Sequence, residues 1–334
     1  MGSAPQRDLG TSPRSTVASG RARGQASVVE RPLRPFLKWA GGKRQLLPRL
    51  REFYPAEFES YHEPFLGSGA VFFDLANAGR LGGRRVRLTD VNADLIGCWR
   101  QLRDAPDAMV EGLRFLEADE AAPGSRYYRV RARFNRARAA IRNGGGPRAE
   151  AYSPDLAAMF VYLNRTGFNG LFRLNAGGGF NVPRGKYKSP RICDENNLRR
   201  VSATLAARSV TVEHAAFDAV LRAARQGDFI YLDPPYAPLS ATSEFTSYTA
   251  DGFDSEDQRR LQQVVIELAE RGCHVLLSNS TAPAIAALYD GNPDAERAGL
   301  RAHTVPARRA INSNAARRGG VDEYVITNLP ERAA

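Results

Sequence analysis

Five short apolar segments, spaced by amphipathic or glycine-turned stretches, constrain this chain more than any other feature. Residues 61–65 run into a Gly67-Ser68-Gly69 turn and a helical pattern over 70–78. Residues 86–89 end at Asp90, and 210–213, 229–232 and 274–277 repeat the apolar pattern, with the clearest helical periodicity over 255–271. Strands that alternate with helices imply a mainly parallel sheet covered on both faces. The spacing predicts an α/β fold with a doubly wound sheet.

The stretch 93–190 interrupts that alternation. It carries an Arg-rich helical segment over 126–142, a break at Gly144-Gly145-Gly146, and Gly- and Asn-rich turns flanked by aromatics. It reads as an inserted, mainly helical module, dividing the main domain into residues 34–92 and 191–330. Residues 1–33, rich in Ser, Gly, Arg, Ala and Pro, read as a disordered basic tail. A chain of 334 residues has room for one large domain and a smaller module.

The formal net charge of +11 points to a polyanionic partner. No apolar run is long enough to span a bilayer and the N-terminus lacks a secretory leader, so a cytoplasmic protein without a membrane is expected. Cys98, Cys193 and Cys273 stand far apart with no paired histidine spacing, which fits reduced thiols and no metal.

In a doubly wound sheet, ligands bind beyond the carboxyl ends of the strands. The Gly67-Ser68-Gly69 turn lets the backbone approach a ligand, and Asp90, about twenty residues on, is placed to grip ribose hydroxyls. A dinucleotide fingerprint requires a third glycine, where this chain has Phe72. A cofactor with a ribose and no phosphates fits better, and S-adenosylmethionine is one.

The sharpest motif is Asp233-Pro234-Pro235-Tyr236, directly after the apolar segment 229–232. Two prolines fix two φ angles and remove two donors, and Pro234 keeps Asp233 out of the helical region. The turn is rigid and rich in acceptors. Asp233 and the Pro234 carbonyl are expected to accept the two protons of an exocyclic amine while Tyr236 stacks on its ring. Acceptors so placed stabilise the charge that develops on an attacking amine nitrogen.

These motifs, in this order, resemble the Dam-type DNA adenine methyltransferases. The likeness runs from about residue 35 to 329 through Phe36-Leu37-Lys38-Trp39-Ala40-Gly41-Gly42-Lys43, Glu63-Pro64-Phe65-Leu66-Gly67-Ser68-Gly69, Asp90-Val91-Asn92 and Asp233-Pro234-Pro235-Tyr236. The extension Ala237-Pro238-Leu239-Ser240-Ala241-Thr242 and the late Arg308-Arg309-Ala310-Ile311-Asn312-Ser313-Asn314 add to it. The resemblance implies a Rossmann-like S-adenosylmethionine-dependent methyltransferase sheet. It further implies that Trp39, Lys43, Phe65, Gly67, Gly69, Asp90 and Asp233 line the cofactor pocket, and that S-adenosylhomocysteine is the product. Trp39 and Lys43, four apart, are expected to share a helix face.

By the same resemblance, residues 163–173 and 180–187 form a DNA-recognising β-hairpin, and Asn169-Gly170 is a hairpin-turn signal. Lys38, Asn169, Leu171, Arg173, Pro183 and Tyr187 would read the site or fill the gap left by a flipped base, with GATC the preferred target. Phe168 and Arg184 depart from the family's pattern; the alternative reading is that Phe168, Phe172 and Phe180 form a small core within the module, which is compatible with the flanking polar residues reading DNA. Double-stranded DNA is the expected partner of a monomer. The competing readings are an N4-cytosine methyltransferase, an RNA methyltransferase and a catalytically silent DNA-binding protein. Asp233 as the first residue of its tetrapeptide favours adenine over cytosine.

Overall fold

The computed structural model describes residues 1–2, 31–39, 41–118, 122–143, 148–239, 253–308 and 320–330. Most of the basic tail, Ala40, the Gly144–Pro147 break, Ser240-Ala241-Thr242 and the segment Arg309–Asn314 lie outside the described residues.

The strands are β1 (Ser60–Glu63), β2 (Arg85–Asp90), β3 (Val210–His214), β4 (Phe229–Leu232), β5 (His274–Ser280), β6 (Arg301–Arg308) and β7 (Gly320–Thr327). The helices up to the middle of the chain are α1 (Leu47–Leu50), α2 (Ala70–Asn77), α3 (Ala93–Asp104), α4 (Pro106–Ala118), α5 (Pro123–Asn143) and α6 (Pro154–Thr166). Those that follow are α7 (Glu195–Leu205), α8 (Val220–Ala223), α9 (Ser255–Glu270), α10 (Pro283–Tyr289) and α11 (Pro293–Arg297).

All seven strands join one sheet in the order β3-β2-β1-β4-β5-β7-β6. The pairs β3–β2, β2–β1, β1–β4 and β4–β5 are parallel, whereas β7 runs antiparallel to both β5 and β6. The α/β expectation holds, and each expected strand falls on an observed one. The pair β6–β7 was not expected. Strand order reverses between β1 and β4, and in an open α/β sheet that switch point opens a crevice at the carboxyl ends of the strands.

Strand periodicity divides the core. Phe229 and Tyr231 of β4 pack into one buried cluster together with Tyr61, Leu276 and Val325, while Ile230 and Leu232 pack into the other with Val275, Leu277 and Ile326. Successive side chains of a strand point to opposite faces, so a strand covered on both sides is apolar throughout. α9 closes one face through Leu261, Val265 and Leu268, and its N-terminus is fixed by a capping box between Asp254 and Asp257.

Candidate active site

Three neighbouring strands end in carboxylates at the crevice: β2 in Asp90, β1 in Glu63, and β4 in Asp233 one residue past its end. Adjacent strands lie about 4.8 Å apart, so three ionised carboxylates would repel strongly. The middle one yields. Glu63 is buried, and burial, with Asp233 and Asp90 adding to it, pushes its carboxyl up to about 8 against the Tyr61 hydroxyl and the Phe72 amide that favour ionisation. Those donors meet Glu63 Oε2 at 2.7 and 3.1 Å.

Asp90 is fixed by backbone amides. Its Oδ2 accepts from Gly67 N at 3.0 Å and its Oδ1 from Asn92 N at 2.9 Å. Burial raises its carboxyl above the usual range, and the two amides oppose that rise. Asn92 then caps α3 by accepting from Leu95 N.

Asp233 forms an ion pair with Lys43, Nζ to Oδ1 at 2.6 Å, and its side chain remains 21% exposed. Burial pushes its carboxyl upward, and the Lys43 ammonium beside it pulls the other way. Lys43 Nζ also donates to the Gly41 carbonyl at 2.8 Å and lies 4.4 Å from the centre of the Tyr236 ring. The rest of the turn is held from β5, β7 and α9. Tyr236 donates its hydroxyl to Glu323 Oε2 at 2.7 Å, Gln258 Nε2 donates to the Pro235 carbonyl at 2.9 Å, and Asn279 Nδ2 donates to Gln258 Oε1 at 3.0 Å. Ser280 Oγ donates to the Ala237 carbonyl at 2.7 Å. Among the described residues Asp233 Oδ2 and the Pro234 carbonyl have no hydrogen-bond donor.

Gly67 and Gly69 both have positive φ, +47° and +67°. A Cβ on Gly67 would stand 2.9 Å from Trp39 Cδ1, and one on Gly69 would stand 2.8 Å from Trp99 Cη2. The turn is thus bare backbone clamped between two indoles. Trp39 stacks towards Phe160 and Phe172, at 6.4 and 6.1 Å between ring centres. The helix expected to carry both Trp39 and Lys43 is absent. Gly42 N bonds the Trp39 carbonyl at 3.1 Å across Gly41, whose φ is +78°, so a tight turn joins them and Lys43 opens a short 3-10 helix, Lys43–Gln45. Phe65, half-buried, stacks on Phe217 at 5.5 Å on the other side of the sheet.

The candidate DNA-reading residues gather on the segment after α6. Lys38 Nζ stands 3.9 Å from the centre of the Tyr187 ring and donates to the Arg165 carbonyl at 3.3 Å, and burial lowers the affinity of its amine for protons. Asn164 fastens that strap to the turn, donating to the Lys38 and Gly170 carbonyls and accepting from Lys38 N. A Cβ on Gly170 would stand 2.4 Å from Lys38 Cβ. Asn169 has φ +54° and Gly170 +65°, and Leu171 N bonds the Phe168 carbonyl at 3.1 Å, so the Asn-Gly pair makes a tight turn as its residues predict. It is not the tip of the hairpin. The two flanks meet in only two isolated bridges, Gly167 with Arg184 and Leu174 with Phe180, and the loop that closes them is Asn175–Gly179. Arg173 Nε donates to Asn181 Oδ1 at 2.7 Å, Leu171 is half-buried against the core, and the exposed Pro183 offers its carbonyl to Phe168 N. Phe172 and Phe180 pack with Phe134 and Phe160, but Phe168 is 44% exposed and stands outside that cluster, so the alternative of a three-phenylalanine core holds for two of its members.

Glu63, Gln258, Asn279 and Glu323 were missed as site residues. Glu63 sits inside a motif quoted from the sequence, and its place at a strand end was a usable signal. The other three are brought in by tertiary pairing, from a helix and two strands remote in the chain, and left no local signal.

The profile of D12 class N6 adenine-specific DNA methyltransferases matches residues 39–311. The chain is 37% identical over 297 residues to the Type II methyltransferase M1.LlaDCHI of Lactococcus lactis subsp. cremoris, covering 89% of this chain and 95% of that protein. It is 37% identical over 308 residues to the Type II methyltransferase M.MjaIII of Methanocaldococcus jannaschii, covering 89% and 99%. To the DNA adenine methylase of Escherichia coli it is 35% identical over 297 residues, covering 89% and 96%. A mainly parallel sheet with an antiparallel β7 and acid-tipped strands at its switch point opens a ligand crevice at the carboxyl ends of the strands. The chain belongs to the D12 class N6 adenine-specific DNA methyltransferases. It is an enzyme that methylates adenine in DNA, and the family implies use of S-adenosylmethionine. Among the described residues no helix is long and apolar enough to cross a membrane.

Proposed function

We propose that the enzyme methylates N6 of an adenine flipped out of duplex DNA within GATC, with transfer in line at the Asp233-Pro234-Pro235-Tyr236 turn. The observation that carries this reading is the division of labour on Asp233: Lys43 takes Oδ1, and among the described residues Oδ2 has no donor, on a side chain that keeps 21% of its surface exposed. One amine proton would go to Oδ2 and the other to the Pro234 carbonyl, since Gln258 already occupies that of Pro235. With Lys43 against the Tyr236 ring and Glu323 on its hydroxyl, the tyrosine is held as a fixed platform for the base. Positive charge that grows on the attacking nitrogen is stabilised by the adjacent carboxylate, and orientation supplies much of the rate. Burial raises the proton affinity of Asp233, which suits it to receive the proton the amine sheds.

S-adenosylmethionine, when bound, supplies a methyl group on a cationic sulfonium. The residues fit such a guest. Two acids flank the turn at Gly67, whose backbone leaves no room for a Cβ beneath Trp39, and Asp90 keeps lone pairs for ribose hydroxyls while its amide bonds hold it still. Trp39, Lys43, Phe65, Gly67, Gly69, Asp90 and Asp233 would hold it, and S-adenosylhomocysteine would leave. The chemistry of this donor set calls for no metal.

Residues 34–92 and 191–330 act in this reading as the catalytic domain and 93–190 as the target-recognition module. Arg173 would pair with a guanine edge and Leu171 would meet a thymine methyl in the major groove. Lys38, Asn169, Pro183 and Tyr187 would read or support the remaining positions, and the enzyme would work as a monomer in the cytoplasm, where its DNA lies. Extrusion of the target adenine costs a few kcal/mol, partly recovered by stacking on Tyr236. The test is expression in a host that lacks adenine methylation, followed by mapping of N6-methyladenine on plasmid DNA. Modification at GATC alone is expected; another motif overturns the target, and unmodified adenine overturns the reading of the turn.

A further inference from the structure

The segment 167–187 carries all the proposed base-reading residues but Lys38, yet its two flanks meet in only two isolated bridges. Buried backbone groups still need partners, and here they find them on a helix. Tyr127 donates its hydroxyl to the Val182 carbonyl at 2.9 Å, and Arg131 Nη1 donates to the same oxygen at 3.2 Å. Asn135 brackets Phe180, donating from Nδ2 to its carbonyl at 3.0 Å and accepting its amide on Oδ1 at 2.8 Å. Arg138 Nη1 donates to the Gly178 carbonyl at 2.6 Å, and Arg142 Nη1 reaches the Gly177 carbonyl at 3.4 Å. The five donors are spaced four, four, three and four apart, so they form one stripe along α5. As the stripe advances along α5, the oxygens it meets step back from 182 to 177, as they would along an antiparallel partner strand.

Arg138 is also tied to the sheet side of the molecule. Its Nε and Nη2 make a two-pronged pair with Asp94 at 2.8 and 2.7 Å, both side chains about 2–3% exposed. Asp94 lies in the first turn of α3, whose capping residue Asn92 bonds the cofactor-side acid Asp90. One guanidinium therefore joins the loop at Gly178 to the helix that leaves the proposed cofactor acid.

We propose that this α5 stripe stands in for a missing strand, and that Asn135 and Arg138 are positioning residues that set sequence discrimination without touching DNA. The proposal rests on the reading of 163–187 as the DNA-reading segment. A looser stripe would let Arg173 and its neighbours meet wrong base pairs nearly as well as right ones, while the cofactor pocket stays as built.

Two variants test it. Asn135→Ala removes both bonds to Phe180 and leaves no charge unpaired. Asp94→Leu/Arg138→Met removes the buried pair together, because removal of one partner alone strands a buried charge, and leaves Arg148, which also meets Asp94 at 3.4 Å, a quarter exposed to solvent. Each is compared with the native enzyme in kcat/KM on a duplex carrying the mapped target and on one altered at a single base pair, and S-adenosylhomocysteine affinity is read by calorimetry. Discrimination is expected to fall at least about tenfold, about 1.4 kcal/mol, with cofactor affinity unchanged within about twofold. Native discrimination in both folded variants overturns the proposal. An Arg173→Ala control separates the two failures. If it relaxes discrimination while neither stripe variant does, the stripe alone is wrong; if none of the three does, the reading of the whole segment is wrong.

Discussion

Replacement of Asp233 by asparagine isolates the acceptor from its other duties. Asp233→Ala would leave the Lys43 ammonium, only 6% exposed, without its carboxylate. Stranding a fully buried charge costs about 3–5 kcal/mol, and less here because Asp233 keeps a fifth of its surface. Asparagine keeps an oxygen for Lys43 Nζ at the position of Oδ1 and sets an NH2 where Oδ2 stood. That group donates to an amine that needs an acceptor. Loss of one preorganised partner for developing charge costs about 10²–10³ in kcat, or about 2.7–4 kcal/mol. The assay is single-turnover transfer of tritiated methyl to a duplex containing the mapped site, with thermal unfolding and S-adenosylhomocysteine affinity as controls. Asp233→Asn should fold, bind the cofactor product within about tenfold of native, and transfer methyl at least about a hundredfold more slowly. Turnover within about threefold of native would refute the role given to Oδ2.

Glu63→Gln should alter the pH dependence of stability. The folded chain holds the Glu63 proton up to about 8, whereas an unfolded chain releases it near 4.5, so its stabilising contribution is complete below 4.5 and is lost as pH rises towards 8. The melting temperature of the variant should therefore gain on the native one between pH 5 and pH 8; a constant gap would show that Glu63 is ionised throughout. Gly67→Ala places a Cβ 2.9 Å from Trp39 Cδ1 at a φ of +47°, a left-handed conformation that costs a non-glycine residue about 1–2 kcal/mol. Calorimetry should find cofactor-product affinity reduced about tenfold or more, and native affinity would remove the turn from the pocket. Arg173→Ala should relax choice at one base pair by about 1–3 kcal/mol in competition assays, and a uniform loss across all sequences would make it a phosphate contact instead.

The central sheet was legible because its parallel strands follow one another at helix-length spacing and end at a turn or an acid, most plainly where the wholly apolar Phe229–Leu232 runs into Asp233. The outer pair was not. Arg301–Arg308 mixes charged and apolar residues and carries Pro306, which a strand tolerates only at an edge, and here that strand lies at the edge of the sheet. The Asp-Pro-Pro-Tyr turn could be read from local chemistry alone, since two prolines dictate its rigidity. What holds it could not: Glu323 reaches Tyr236 only because β7 pairs with β5 beside β4. A spacing of four suggested a helix from Trp39 to Lys43, but Gly41 takes a left-handed φ and breaks it, bringing the indole over Gly67 by a turn instead. The Asn169-Gly170 signal was right about the turn and wrong about its place, because the side chains of α5 rather than a paired strand satisfy the backbone beyond it.

The most direct trial of the site's chemistry is the fate of the methyl group. Duplex DNA incubated with the enzyme and labelled S-adenosylmethionine can be digested to nucleosides and resolved by chromatography. The label should elute wholly as N6-methyldeoxyadenosine. Its appearance as N4-methyldeoxycytidine, or its absence while DNA is still bound, would contradict an adenine amine held between Asp233 and Pro234.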